Sequence, residues 1–250
     1  MIELSLEFPR YGYRFITELL QREGWRVNRK KVQRLRRKEG LQVIQKARKP
    51  RRRGPQGTPK RKAEGVNDVW CWDFIFDRTE DGRLIKILSL VDEYSRYCFH
   101  LAVEQTIRAV DVIRLIEQAV AIHAAPNFIR SDNGSEFIAN EIRDWLQDQQ
   151  IQTMYIEPGC PWENPWVESF HSRFRDNCLN RELFLNIKEA EVVISDWKTL
   201  YNDERPHSGI NYKSTVQVYR SNGGAHCRPQ NPQARANRID KSRTLIPCLT

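Results

Sequence analysis

The chain has 250 residues, 40% hydrophobic and 10% aromatic, enough for one substantial core plus a small accessory module. No stretch approaches the ~20 apolar residues of a membrane span, and Met1-Ile2-Glu3-Leu4-Ser5-Leu6-Glu7 carries acids where a secretory signal needs a basic start. The net charge of +9 is unevenly spread: residues 1–67 hold 20 Lys/Arg against 6 Asp/Glu, whereas residues 68–250 hold 21 against 26.

A basic first quarter on a mildly acidic body suggests a polyanion-binding arm ahead of a separate domain. The basic segment lacks the broad apolar face of an interfacial helix, so nucleic acid is the expected partner and a membrane is not. A cytoplasmic, nucleoid-associated location follows. Six scattered cysteines with no C-x-x-C pair argue against a disulfide framework or structural zinc.

Residues 1–44 are expected to form a helix-turn-helix module. Phe15, Ile16, Leu19 and Leu20 recur at helical spacing, and Gly24 ends that helix. Asn28 is a good N-cap for a second helix running to Glu39, with Val32 and Leu35 inward and Gly40 closing it. Its remaining positions, Arg29, Lys30, Lys31, Arg34, Arg36, Arg37 and Lys38, are assigned to the solvent side as DNA contacts. An ordinary solvated basic helix is the simpler alternative. Residues 45–67, rich in Lys, Arg, Pro and Gly, read as a flexible basic linker.

From residue 68 the pattern changes to a mixed α/β sheet. Strands are expected at 69–76, 84–91, 97–103, 127–130 and 151–156, with an Asp81-Gly82 turn between the first two. Helices are expected at 107–124, 136–149 and 188–202, and one opens after Asn164-Pro165, where Asn caps and Pro fits the first turn. On that helix Val167, Phe170, Phe174 and Cys178 form one stripe; Glu168, His171, Ser172 and Arg175 form another. The core is taken to span 68–212, and 213–250 is taken as a divergent, disordered tail.

Three acids stand out. Asp73 interrupts the apolar run Val69-Trp70-Cys71-Trp72-Asp73-Phe74-Ile75-Phe76, with no Lys or Arg within four residues on either side. A buried carboxylate there costs several kcal/mol unless something positive compensates it. Satisfaction by backbone amides or a distant Arg is the common outcome; a metal ion is the sharper one. Asp132 follows the fourth strand at its carboxyl end, where α/β sheets form their sites, and Glu168 opens a helix. If the first and fourth strands are neighbours, the three acids converge. Their mutual repulsion is then relieved by two Mg²⁺ or Mn²⁺ ions, the arrangement for in-line displacement at phosphorus. Asp92, Glu93, Glu136 and Glu163 are read as structural acids.

The segments Trp72-Asp73-Phe74, Ser131-Asp132-Asn133-Gly134-Ser135-Glu136-Phe137 and Asn164-Pro165-Trp166-Val167-Glu168-Ser169-Phe170 resemble the DDE transposase/integrase superfamily. Within it the chain is most similar to integrase-type insertion-sequence transposases made as a second-reading-frame product. Tyr11-Gly12-Tyr13-Arg14, Val91-Asp92-Glu93-Tyr94-Ser95-Arg96 and Tyr201-Asn202-Asp203-Glu204-Arg205-Pro206-His207-Ser208 extend the likeness from about Pro9 to about Tyr212.

The resemblance implies a ribonuclease-H-like core with Asp73, Asp132 and Glu168 as the catalytic metal-binding triad. It also implies DNA contacts at Arg175 and at Asn164, and His171 is grouped with these. The implied reaction is 3′-end hydrolysis followed by attack of the freed 3′-OH on another phosphodiester. The implied partners are the element's terminal inverted repeats, target DNA, further copies of the chain, and an upstream-frame helix-turn-helix protein. Departures from the pattern are Asn164-Pro165 for Asn-Gly, His171-Ser172 for Asn-Gly, and a start that looks truncated ahead of Pro9. They leave open a catalytically inactive remnant that only binds DNA, or a nuclease that cuts without joining.

Overall fold

A computed structural model describes residues 1–44, 61–131, 140–155 and 164–224. The chain divides into two compact units, one formed by its N-terminal residues and the other by the sheet and its helices.

In the N-terminal unit, α1 (Ile2–Glu7) precedes α2 (Tyr13–Arg22) and α3 (Arg29–Lys38). Gly24 adopts φ +89° after α2, which lets Trp25 N–H reach back to the Leu20 carbonyl at 3.0 Å. Asn28 caps α3, its side-chain oxygen accepting from Lys31 N–H at 2.8 Å. Tyr11, Ile16, Leu20 and Val32 form the small core.

One cation departs from the expected pattern. Arg36 is buried and donates through Nη1 to the Tyr11 carbonyl at 2.7 Å. It lies four residues after Val32 and so shares Val32's inward face; it braces the unit instead of facing solvent. Arg29, Lys30, Lys31, Arg34, Arg37 and Lys38 are exposed as expected, Arg29 pairing with Glu18 at 2.8 Å.

The second unit is a five-stranded sheet in the order β3-β2-β1-β4-β5. β1 (Val69–Arg78), β2 (Leu84–Asp92) and β3 (Cys98–Glu104) run antiparallel as a meander. β4 (Phe128–Ser131) and β5 (Gln152–Tyr155) add in parallel on the other side of β1. Alternation along β1 sorts its side chains between two cores. Trp70 and Trp72 face α4 (Ala109–His123), α5 (Asn140–Asp148) and α8 (Thr215–Ser221). Val69, Cys71 and Ile75 face the opposite side, which is covered by α6 (Pro165–Asn177) and α7 (Ile187–Asp203).

Two boundaries differ from the sequence reading. Residues 61–67 are not free linker: Ala63 N–H donates to Glu93 Oε1 at 3.0 Å, Asn67 N–H to Asp92 Oδ2 at 3.0 Å, and the Arg61 carbonyl accepts from Arg130 at 2.6 Å. Hydrogen bonds to buried partners outweigh the local composition. The core also runs beyond 212, because α8 buries Val216 and Tyr219. Gln217 closes its first turn, its side-chain oxygen accepting from Ser214 N–H at 3.0 Å, and Ser-x-x-Gln is a start signal present in the sequence. Residues 225–250, 45–60 and the helical positions expected at 136–139 lie outside the described residues.

Candidate active site

Asp73 sits opposite Ser89 in the β1–β2 register. By alternation it shares the face of Cys71 and Ile75, the one covered by α6. It is less buried than the apolar run suggested, with 27% of its side chain exposed. The described pairing of β4 with β1 ends at Cys71↔Arg130, two residues before Asp73. Asp73 Oδ1 accepts from Phe74 N–H at 2.8 Å, and Oδ2 lies 3.5 Å from His171 Nδ1.

α6 takes its position from the stripe Val167, Phe170 and Phe174, all buried. The other stripe holds Glu168, exposed in the first turn, then His171 and Arg175. Partial burial raises the Glu168 carboxyl above its ordinary value. His171 turns back to the sheet: its Nε2 is 2.7 Å from Ser89 Oγ, which in turn donates to the Asp73 carbonyl at 2.9 Å. Burial first, and the Arg175 charge second, push the His171 pKa down to about 4. The ring is therefore neutral at pH 7, and its approach to Asp73 is not an ion pair. Arg175 is exposed and donates to the Phe76 carbonyl at 3.3 Å.

Asn164 precedes α6 as expected, but its side chain makes no cap bond; it is buried, and Oδ1 has no hydrogen-bond partner among the described residues. Asp132 lies outside the described residues, as do Glu136 and Glu163. Among the described residues no three His, Cys, Asp or Glu side chains gather closely enough to hold a metal ion. What they bring together is Asp73, His171 and Ser89.

Supporting this corner is a network built by the segment Val91–Arg96. Asp92 is fully buried and accepts from Ser95 N–H at 2.7 Å, Ser95 Oγ at 2.6 Å and Asn67 N–H at 3.0 Å. Desolvation nevertheless raises its pKa to about 6. Glu93 pairs with Arg130 at 3.4 Å, both almost fully buried. Arg96 stacks on Trp166 in the first turn of α6, 3.5 Å from the ring centroid. Asp92 and Glu93 are thus each held by buried hydrogen-bond or ion-pair partners. The partners of Ser89 and Arg96 lie 82 and 70 positions away, and no local pattern announces them.

The matching protein families are an HTH-like domain over residues 1–49 and an integrase core domain over residues 63–161 and again 149–214. Among solved structures, a chain of the simian T-cell lymphotropic virus intasome overlays with a TM-score of 0.60 at 17% identity, covering 74% of this chain and 65% of that one. The HTLV-2 integrase catalytic core in complex with magnesium gives 0.50 at 19%, covering 62% and 98%. The fold is therefore the ribonuclease-H-like integrase core behind a helix-turn-helix.

The sequence relatives narrow the class. An uncharacterized 39.2 kDa protein of insertion element IS476 from Xanthomonas euvesicatoria is 37% identical over 93% of this chain and 68% of its own length. A protein of IS407 from Burkholderia multivorans is 34% identical over 85% and 76%. The transposase of IS904 from Lactococcus lactis is 27% identical over 82% and 85%. The chain belongs to the integrase-type insertion-sequence transposases of the DDE superfamily.

Proposed function

We propose that this chain is a DDE-type polynucleotidyl transferase that cuts DNA at the 3′ ends of its element and joins the freed 3′-OH to another phosphodiester. The observation that supports it most is the register of β1 and β4. Its last described pair, Cys71↔Arg130, lies two residues before Asp73 on β1 and two residues before Asp132 in the sequence. Parity agrees: Phe128 packs with Cys71 and Val167 on the α6 face, Ile129 with the opposite core, so even-numbered β4 positions share the face of Asp73. Glu168 comes from α6 on that same face, three residues or about 4.5 Å of helix rise before His171.

The donor set fits hard divalent ions. Carboxylate oxygens are the ligands of Mg²⁺ and Mn²⁺, Asp73 is open enough to be reached, and Glu168 has a shift with burial as its one cause. Asp73, Asp132 and Glu168 would hold the ions. When bound, such ions would lower the pKa of the attacking water or hydroxyl and stabilise the leaving oxygen. Arg175, exposed on the same helix and bonded to the Phe76 carbonyl, would hold a DNA phosphate. Nothing in this scheme needs a covalent protein–DNA link or ATP.

The test uses duplex oligonucleotides copied from the DNA flanking the reading frame, with Mn²⁺ or Mg²⁺. Nicks at the 3′ ends together with joined products are expected. Nicks without joining would leave a nuclease, and neither product would leave a DNA-binding protein.

The N-terminal unit would grip DNA through the exposed cations of α3. Three of them, Arg29, Lys30 and Lys31, occupy its first turn, where the helix dipole disfavours positive charge; phosphates alongside would offset that cost. Replacing Arg34 and Arg37 with Ala should weaken binding and flatten the salt dependence, by about 0.9 in slope for each phosphate no longer neutralised. Replacing Arg36 should instead destabilise the unit. An unchanged slope in the double variant would remove α3 from the interface.

A further inference from the structure

We propose that His171 is a further metal-site residue, binding through Nδ1 the divalent ion that Asp73 holds and favouring ions that accept nitrogen. The inference rests on the carboxylate site proposed above.

Its basis is a count of protons. Ser89 is fully buried, and its hydroxyl has a single proton to give. That proton is directed at the Asp73 carbonyl at 2.9 Å, leaving Oγ as an acceptor toward His171 Nε2 at 2.7 Å. The ring then donates from Nε2, and Nδ1 is left with its lone pair. That lone pair looks at Asp73 Oδ2 across 3.5 Å.

The separation is too long for a good hydrogen bond. It does match two neighbouring ligands of one ion, which lie roughly 3.0–3.5 Å apart when each bond is about 2.1 Å. A ring held at its far nitrogen by a fixed acceptor is also how metal-ligating histidines are usually oriented. Here the acceptor is anchored on the backbone of the very residue that supplies the carboxylate. Backbone and side chain of Asp73 therefore set the two ends of one arrangement, and α6 brings the imidazole to it.

An imidazole among carboxylates shifts preference away from Mg²⁺, which takes oxygen ligands, toward Mn²⁺ and later transition ions. Mn²⁺ and Mg²⁺ binding to the full chain, measured by calorimetry, should separate the two proposals. Asp73→Asn is expected to abolish binding of both ions. His171→Ala should weaken Mn²⁺ at least about tenfold and Mg²⁺ by less than about twofold, and Ser89→Ala should weaken Mn²⁺ by about tenfold through loss of ring orientation. Nitrogen NMR of His171 in the metal-free protein should report the tautomer protonated at Nε2.

If Asp73→Asn leaves binding intact, the carboxylate site itself is wrong. If Asp73→Asn abolishes binding while His171→Ala binds Mn²⁺ like the parent chain, only the role of His171 falls. A metal-free ring protonated at Nδ1 would likewise overturn it, because His171 would then be a donor to Asp73. Melting curves of each variant establish that the fold is retained.

Discussion

Asp132→Asn is expected to lower DNA cleavage and joining together by at least about 10³-fold, equivalent to about 4 kcal/mol of transition-state stabilisation. The amide keeps the shape of the carboxylate and loses the charge that a divalent ion needs. Folding should be unaffected or slightly favoured, since the proposed site would lose one of its three like charges. The expectation depends on the sheet. β1 and β4 are parallel neighbours in a fixed register, and Asp132 follows Ser131, the last residue of β4. Both steps should fail to the same degree, because the attack by water and the attack by a 3′-OH would use the same ions. Gel assays with the flanking-end oligonucleotides read both, and a melting curve guards against unfolding. Turnover at the parent rate would refute the site; loss of joining alone would assign Asp132 to target capture.

Much of this architecture was readable from local pattern. The apolar run around Asp73 gives β1 because a continuous β-branched and aromatic stretch is what a strand covered on both faces requires. Asp81-Gly82 gives the hairpin, with Gly82 at φ +82°, and Asn28 gives the start of α3. The stripe Val167, Phe170, Phe174 gives the buried side of α6. What escaped depends on contacts distant in sequence. Arg36 looks like one more cation until Tyr11 supplies a buried carbonyl. Ser89 looks like a weak point in an apolar strand until His171 reaches it from α6. Asn202 is one polar letter in a motif until its amide is found bridging both backbone groups of Cys98, at 2.9 and 2.8 Å, which ties α7 to the start of β3. Composition misled at both ends of the core: basic Arg61-Lys62 suggested a linker, and the Gly- and Asn-rich stretch that follows α8 hid it. In each case a burial decision made elsewhere in the chain overrode the local preference.

The buried pair Glu93–Arg130 is where a single change should damage the fold most. Each side chain is at most 3% exposed, and they meet at 3.4 Å. Glu93 also accepts from Ala63 N–H at 3.0 Å, and Arg130 donates to the Arg61 carbonyl at 2.6 Å, so the pair clamps residues 61–63 against β4. Desolvating two charges costs nearly as much as their attraction returns, so the intact pair adds little net stability. Removing one partner is different, because it leaves the other charged in a site without water. Glu93→Ala should therefore cost about 3–5 kcal/mol, or on the order of 10 °C in melting temperature for a unit of this size. The double variant Glu93→Leu with Arg130→Met should recover most of that loss, since it removes both charges and keeps the volume. Denaturant titrations of the three proteins give the comparison. A single variant within about 1 kcal/mol of the parent would mean that water reaches the pair. The expected result ties the stability of the fold to the strand end from which Asp132 emerges two residues later.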